Sequence, residues 1–308
     1  MTAPTEVIAP GAAPSAPRAR SGDLVTRTLS ALALGVYGVV AATGSLLAPQ
    51  NPARQDIGAR LLPPGSQSLT GYHLLGTDPV GRDIWSMLIA GARGALVTAA
   101  LAVAIGAVVG VVLGMLAGYY GGVVGDLIVY CTNTQLAFPF FLLALAAVGI
   151  LGTSFGLVVV VLALGTWVQY ARVIHAETQA ICKLEYIAAV RVMRGSVVRC
   201  LLRHVLPNVL PTVIVLSTFA LGTAIVLESG LGFIGLAPHA ESPGWGEMLS
   251  DGRDYLATSW WITFFPGAAI FVVVLAVNLL GERMREQLDP RLAVRIDRNR
   301  RRTRRTAQ

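Results

Sequence analysis

The stretch EYIAAVRVMRGSVVRCLLRHVLPN, Glu185 to Asn208, is a basic interruption in a mostly apolar sequence. Apolar residues recur in it at intervals of three or four, which puts them on one side of a helix. This stripe consists of Tyr186, Val190, Met193, Val197 and Leu201. Gly195 weakens a helix and Ser196 can cap a new one, so the pattern predicts a helix, a turn and a second helix.

The composition predicts that the chain as a whole lies in a bilayer. Of its 308 residues, 54% are hydrophobic and only 13% are charged. The mean hydropathy is +0.64, which is too apolar for an ordinary soluble domain. The net charge of +7 does not indicate nucleic acid, because ten of the 24 basic residues follow Gly281 and most others flank apolar runs. The three cysteines have no C-x-x-C spacing, so neither a disulfide framework nor a zinc site is predicted.

Six apolar runs are long enough to cross a membrane, and they predict an all-α polytopic protein with six transmembrane helices. The runs are approximately residues 29–48, 95–120, 127–151, 155–171, 209–227 and 262–280. Arginines precede the first run and follow the last, so both termini are predicted to be cytoplasmic. The turn-rich segment 49–93 and the acidic segment 243–254 then face outside.

This topology divides the chain into four parts. Residues 1–22, rich in Ala, Pro and Ser, are predicted to be a disordered cytoplasmic tail. Residues 23–92 hold the first span and its extracytoplasmic loop. Residues 93–285 hold five further helices, and residues 286–308 form a basic cytoplasmic tail.

The segment HLLGTDPVGRDIWSMLIAGAR, His73 to Arg93, carries a compact turn motif. Its glycines permit tight turns, while Asp and Arg at this spacing can pair or cap a helix. The motif residues are Gly76, Thr77, Asp78, Gly81, Arg82 and Asp83. Two interpretations remain, a structural cap on the bundle and direct contact with a substrate.

Two further patterns lie within the predicted spans. Glycines at 106, 110, 114 and 118 form a ridge on which another helix can pack closely. The third span is interrupted by Pro139 and carries a polar patch that includes Tyr130, Asn133 and Gln135. These polar groups either line a solute pathway or form hydrogen bonds between helices.

The residues quoted above resemble the dipeptide/oligopeptide/nickel permease family of ABC importers, in particular its DppC/OppC-type half. The basic stretch resembles that family's cytoplasmic EAA loop, and HLLGTDPVGRD resembles the segment that leads into its second helix. ESGLGFIGLAP from Glu228, PGWG from Pro243 and LDPRL from Leu288 also match, so the resemblance covers about His73 to Leu292. It implies the type I ABC-importer permease fold.

By this resemblance, the loop of about residues 172–207 is a coupling loop that docks on an ATPase subunit. The residues that the resemblance and the stripe assign to docking are Tyr186, Ala188, Ala189, Val190, Met193, Gly195, Ser196 and Arg199. The residue-based alternative is a surface helix that extends its arginines into lipid headgroups.

The sequence departs from the family at several positions. In the loop, the usual Glu, second Ala and Gly are replaced by Ala188, Val190 and Arg194, with Gly195 one place late. In the third span, the usual Asp, Arg and Asp are replaced by Gly125, Tyr130 and Asn133. The details of docking and gating in that family are therefore not assigned to this sequence.

The chain lacks the residues of a Walker A loop, because its single lysine, Lys183, stands between Cys182 and Leu184. No cofactor is expected in this chain. The resemblance implies that ATP and Mg are bound by two partner ATP-binding subunits, and that a DppB/OppB-type second permease completes the path. A solute-binding protein outside would deliver dipeptides or oligopeptides, with a nickel chelate or haem as alternative cargo.

Two other classes of function remain to be compared with this one. A stand-alone secondary transporter or channel needs intramembrane charges for ion coupling, yet the spans are uncharged apart from boundary residues such as Asp126 and Glu228. A scaffold that moves no solute would show no substrate-stimulated ATPase activity in a purified complex. Neither class explains the family motifs.

Overall fold

The structure is a computed structural model that describes residues 48–69, 71–192, 196–237 and 243–288. For Ala188, Ala189, Arg191 and Val192 it describes the backbone alone. The predicted first span lies outside the described residues except for Ala48, as do the N-terminal tail, most of the C-terminal tail, and Met193 to Gly195.

The described chain is helical apart from one small hairpin and its loops. The elements are β1 (Ser66–Ser68), β2 (Gly71–His73), α1 (Ile84–Tyr120), α2 (Gly122–Ala137), α3 (Phe140–Leu151), α4 (Phe155–Cys182), α5 (Glu185–Val192), α6 (Val197–Cys200), α7 (Leu206–Phe233), α8 (Trp245–Gly252) and α9 (Trp261–Leu288). A π turn, Leu201–Val205, joins α6 to α7, so that Val197–Phe233 is one continuous helix of 37 residues.

Four of these helices are long and apolar enough to cross a membrane: α1, α4, Val197–Phe233 and α9. Helices α2 and α3 pass the same test together, but they meet at a bend of 87°, so they count as a fifth span only if the pair crosses as one unit. The all-α polytopic class is therefore confirmed. The described residues give four or five spans, and the predicted sixth is the run 29–48 outside them.

The helices extend beyond the spans predicted from hydropathy. Helix α1 begins at Ile84 and not near Ala95, because the side chain of Asp83 accepts a hydrogen bond from the backbone N–H of Ser86 at 2.9 Å and caps the helix there. Helix α4 continues to Cys182 and α7 to Phe233. A span predicted from hydropathy ends at polar residues such as Arg93 and Arg172, whereas the helix itself can continue beyond the apolar layer of the membrane.

The break between α2 and α3 occurs at Phe138 and Pro139, both of which have extended backbone angles. Proline has no N–H to donate and disfavours a helical conformation at the residue before it. The predicted interruption of the third span at Pro139 is therefore confirmed.

Helices α1 and α4 cross along the predicted glycine ridge. A methyl group added to Gly110 would lie 2.6 Å from Cβ of Tyr170, and one added to Gly114 would lie 2.7 Å from the carbonyl oxygen of Ala171. Gly106 faces Thr166 and Gly118 faces Thr178 in the same way. No side chain fits between the two backbones at these positions, so the ridge is confirmed as a packing face.

Candidate functional site

The loop between α4 and α7, residues 183–205, is called the connecting loop. It has the predicted form of two short helices, α5 and α6, and the Ser196 hydroxyl caps the second by accepting from the backbone N–H of Arg199 at 3.5 Å. The turn itself, Met193 to Gly195, lies outside the described residues.

Three residues of the predicted apolar stripe face the inside of the bundle and not the outer surface of the connecting loop. Leu201 is buried, and Val190 and Val197 pack against the core of the bundle. Ile187, which the stripe did not include, is fully buried. Leu201, Val190 and Val197 therefore contribute to the chain's own core, while Tyr186 of the same stripe is exposed, and docking of the loop on a partner stays a prediction. These three side chains face the core because α5 and α6 lie against the ends of the long helices and share their core.

The outer surface of the connecting loop carries other apolar side chains. Val198 is 63% exposed and Leu202 is 56% exposed, and Leu184 and Tyr186 are also exposed. Charged residues accompany them on this surface: Lys183, Glu185, Arg199 and Arg203. We call this set the loop surface. Sequence reasoning missed Leu184, Val198 and Leu202, although each is an apolar residue beside a basic residue and off the main stripe, which was the available signal.

Tyr186 links the connecting loop to the start of α7. Its hydroxyl accepts a hydrogen bond from Asn208 Nδ2 at 3.4 Å, and its ring lies 6.4 Å from the ring of His204 in an edge-on arrangement. Asn208 Nδ2 also donates to the carbonyl oxygen of His204 at 2.6 Å. These contacts give Tyr186, His204 and Asn208 a local structural role.

The three polar residues of the third span have different surroundings. Gln135 connects α2 to α4, since its Oε1 accepts from Trp167 Nε1 at 2.7 Å and its Nε2 donates to the carbonyl oxygen of Leu164. Tyr130 and Asn133 are exposed on α2. Gln135 thus forms bonds between helices, while pathway lining stays a prediction for Tyr130 and Asn133.

Glu228 is half-buried and lies inside α7, which continues to Phe233. The Ser229 hydroxyl donates to its Oε2 at 3.5 Å. Glu228 therefore lies within the helix and not at its end.

At one end of the bundle, residues 49–69 and 71–83 form what we call the hairpin cap. Strands β1 and β2 pair antiparallel, with Ser66 opposite His73. His73 is fully buried, its Nδ1 lies 3.0 Å from Asp83 Oδ1, and its Nε2 lies 2.9 Å from Ser68 Oγ. The histidine therefore joins the hairpin to the first turn of α1.

The motif residues of the cap bind mainly to one another and to adjacent loop backbone. The buried carboxylate of Asp78 accepts from the backbone N–H of Val80 at 2.9 Å, from that of Arg82 at 2.7 Å, and from Arg82 Nε at 2.5 Å. The Thr77 hydroxyl donates to the carbonyl oxygen of Ala59 at 2.5 Å. Gly76 and Gly81 have φ near +80°, at +83° and +81°, where other residues are strained.

Three long-range bonds attach the first part of the chain to the last. Trp261 Nε1 donates to the carbonyl oxygen of Thr77 at 3.2 Å, and Trp245 Nε1 donates to that of Leu88 at 3.0 Å. Arg82 Nη2 pairs with Asp251 at 3.1 Å. The polar groups of the motif are thus used inside the molecule, which is the geometry of a structural cap.

Comparison with known proteins gives a consistent result for sequence and fold. The family model described as binding-protein-dependent transport system inner membrane component matches residues 110–294. The dipeptide transport system permease protein DppC of Escherichia coli K12 is 42% identical over 254 residues, covering 82% of this chain and 85% of that protein. The nickel transport system permease protein NikC of the same organism is 33% identical over 264 residues, covering 86% and 94%.

One further sequence relative and one solved structure agree with these matches. The di/tripeptide permease protein DppC of Pseudomonas aeruginosa UCBPP-PA14 is 37% identical over 250 residues, covering 80% of this chain and 82% of that protein. An inward-facing crystal structure of the MetNI methionine ABC transporter matches with a TM-score of 0.54 and 18% identity, covering 67% of this chain and 97% of that chain, which shows the fold alone. The chain therefore belongs to the binding-protein-dependent transport system inner membrane components, and it is a multi-pass ABC-importer permease of the dipeptide, oligopeptide and nickel type.

Proposed function

We propose that this permease imports dipeptides or oligopeptides as one half of a permease pair, with a DppB/OppB-type subunit as the other half. A solute-binding protein delivers the peptide outside, and two ATP-binding subunits inside bind ATP and Mg and supply the energy. The names of the Escherichia coli and Pseudomonas relatives support the peptide substrate. Nickel import is the second candidate, because NikC matches over 86% of the chain.

The observation that carries the proposal is the loop surface. Exposed apolar side chains accompanied by charges are typical of a protein contact site, and Val198 and Leu202 lie on the same short helical segment as Arg199 and Arg203. The apolar groups would enter a groove on an ATP-binding subunit while the arginines pair at its rim. The connecting loop would then be a part of this chain that meets the ATPase.

The docking test replaces one exposed apolar residue at a time. Val198→Asp and Leu202→Asp should each reduce co-purification of the ATPase at least tenfold, because loss of a central contact in an interface costs about 2 kcal/mol or more. Uptake of a labelled dipeptide should fall in parallel, while the amount of permease in the membrane stays normal. Val198→Ile is the matched control and should retain both.

The alternative of a lipid-surface helix gives a different result. A helix held by headgroups tolerates replacements that keep its charge and amphipathic character, so Val198→Trp would leave co-purification and uptake intact, whereas a groove that fits valine would not accept the larger ring. Normal ATPase retention in both aspartate variants would remove the docking role from the loop surface.

Orientation in the membrane is part of the proposal. We propose cytoplasmic termini, with the hairpin cap outside and the connecting loop inside; the arginine-rich tail supports this orientation. In a background without Cys131, Cys182 and Cys200, a cysteine at the exposed hairpin tip, Leu69→Cys, should react with an impermeant thiol reagent on sealed cells. Val198→Cys should react only after the cells are opened. The reverse pattern would overturn the orientation.

A further inference from the structure

Two side-chain hydrogen bonds join the helices that enter and leave the connecting loop. Tyr170 on α4 donates from its hydroxyl to Ser217 Oγ on α7 at 2.9 Å. Thr212 on α7 donates from its hydroxyl to Glu177 Oε1 on α4 at 3.1 Å. We call these two bonds the polar ladder. Because Tyr170 and Glu177 are seven residues apart on one helix, the bonds are about 10 Å apart along it.

The bond between Tyr170 and Ser217 is buried and fixed in direction. Tyr170 is only 1% exposed. The Ser217 hydroxyl donates its own hydrogen bond to the carbonyl oxygen of Val213 at 2.8 Å, so Tyr170 must be the donor in the bond between the two hydroxyls. Tyr170 is also the residue that packs over Gly110 of the glycine ridge. Tyr170 is therefore packed between α1 and α7. If α4 slid past α7, a buried hydroxyl would lose its hydrogen-bond partner.

The bond between Thr212 and Glu177 lies nearer the connecting loop. Glu177 Oε2 is buried and has no hydrogen-bond partner among the described residues, so Thr212 makes the carboxylate's one side-chain hydrogen bond there. A buried carboxylate oxygen without a partner is unfavourable. An apolar side chain at residue 177 would avoid this cost. The bond to Thr212 on α7 is therefore what the carboxylate of Glu177 provides.

We propose that the polar ladder makes α4, the connecting loop and α7 one lever, in which Glu177, Thr212, Tyr170 and Ser217 are positioning residues for transport. Within a bilayer no hydrophobic effect holds two helices in register, so a pair without directed bonds can slide. With the ladder, a displacement of the connecting loop moves both helices as far as Tyr170. This inference rests on the proposed docking of the ATPase at the loop surface.

The experiment measures dipeptide taken up per ATP hydrolysed by the complete complex in proteoliposomes, with its binding protein present. Thr212→Val keeps the shape of the side chain and removes the donor, and it should lower this ratio at least threefold while the ATPase remains bound. Ser217→Ala should lower it as well, and the double variant further. Thr212→Ser and Glu177→Gln should retain the ratio, because a serine hydroxyl still donates and an amide oxygen still accepts.

Thr223→Val is the matched control on the same helix. The Thr223 hydroxyl donates at 3.1 Å only to the carbonyl oxygen of Phe219 in its own helix, so this variant should keep the wild-type ratio. A Glu177→Leu and Thr212→Val pair should be no worse than either change alone, since both remove the same bond.

Several outcomes would overturn the lever. They are a normal ratio in Thr212→Val, an equal loss in Thr223→Val, or a loss in Glu177→Gln, which would mean that charge matters and the bond does not. Failure of the docking proposal is distinguishable from these results. It would appear as normal ATPase retention in Val198→Asp, whereas failure of the lever appears as normal transport per ATP in Thr212→Val.

Discussion

The crossing of α1 with α4 and the connecting loop are held by opposite means. At the crossing, the absence of side chains at Gly106, Gly110, Gly114 and Gly118 brings two backbones together. In the loop, apolar side chains such as Ile187 and Leu201 fill space at the end of the core, and exposed apolar side chains remain on the other side. A side chain added at the crossing would push the two helices apart. In the loop, by contrast, a residue on the outer face can be replaced while the inner face stays packed.

The largest effect that this comparison predicts is at Gly110. Gly110→Leu should destabilise the fold by about 3 kcal/mol, because a leucine there meets Tyr170 and the backbone of α4. Gly94→Leu is the matched control, since a methyl group added to Gly94 meets nothing within 4 Å. The melting temperature of the purified permease in detergent measures both. Equal stability of the two variants would show that the crossing is looser than described.

The second prediction separates the two faces of the connecting loop. Val197 packs against the core and Val198 is exposed. Val197→Asp should lower the free energy of unfolding by about 2 kcal/mol, because a charge enters a partly buried apolar contact. Val198→Asp should leave the melting temperature unchanged and affect ATPase retention alone. If Val197→Asp and Val198→Asp lowered the melting temperature equally, the loop would have no distinct inner and outer face.

The third prediction concerns a helix contact that resembles neither region, the bond from Trp167 to Gln135. Trp167→Phe should destabilise the attachment of α2 to α4 by about 1 kcal/mol, because the Gln135 oxygen loses its donor. In a background without the exposed Cys131, a cysteine at the buried Thr132 of α2, Thr132→Cys, should then react faster with a thiol reagent. Trp260→Phe changes an exposed tryptophan in the same way and should leave that rate unchanged. An unaltered rate in Trp167→Phe would show that the bond does not hold α2.

The smallest expected effect is at the hairpin cap. Asp251→Asn should cost less than about 1 kcal/mol, because Arg82 keeps its bond to Asp78 and the Asp251 carboxylate is half exposed. The difference in melting temperature should shrink as salt is added. Asp254→Asn, which loses only an exposed pair with Arg253 at 3.5 Å, is the control. A large effect of Asp251→Asn that salt does not reduce would contradict the assignment of this pair to the surface.

The sequence predicted those features that depend on one residue type at a regular spacing. The four glycines, each four residues from the next, indicated a packing face, and Pro139 indicated a break. The connecting loop was harder, because the sequence showed that its stripe is apolar but did not show that Val190, Val197 and Leu201 pack against the chain's own core. Nothing in the spacing of Val190, Val197 and Leu201 distinguishes a groove on another protein from the end of the chain's own bundle.

Contacts between distant residues were not predictable from local pattern. Gln135 and Trp167 come from different helices, and Arg82 meets Asp251 across most of the chain. Such pairs depend on how the helices are finally arranged, which periodicity does not encode. The polar ladder belongs to this class, since Tyr170, Glu177, Thr212 and Ser217 are unremarkable in the sequence.

The bonds from Trp261, Trp245 and Asp251 to the hairpin cap and the start of α1 have a consequence for biosynthesis. The groups at Thr77, Arg82 and Leu88 emerge from the ribosome long before their partners, because α8 and α9 are made last. Until α8 and α9 have been made, these three bonds cannot form, and the carbonyl oxygen of Thr77 lacks the N–H of Trp261. The full set of cap contacts therefore forms only after Trp261 has been made, and a chain truncated before Trp261 would lack the bond to Thr77.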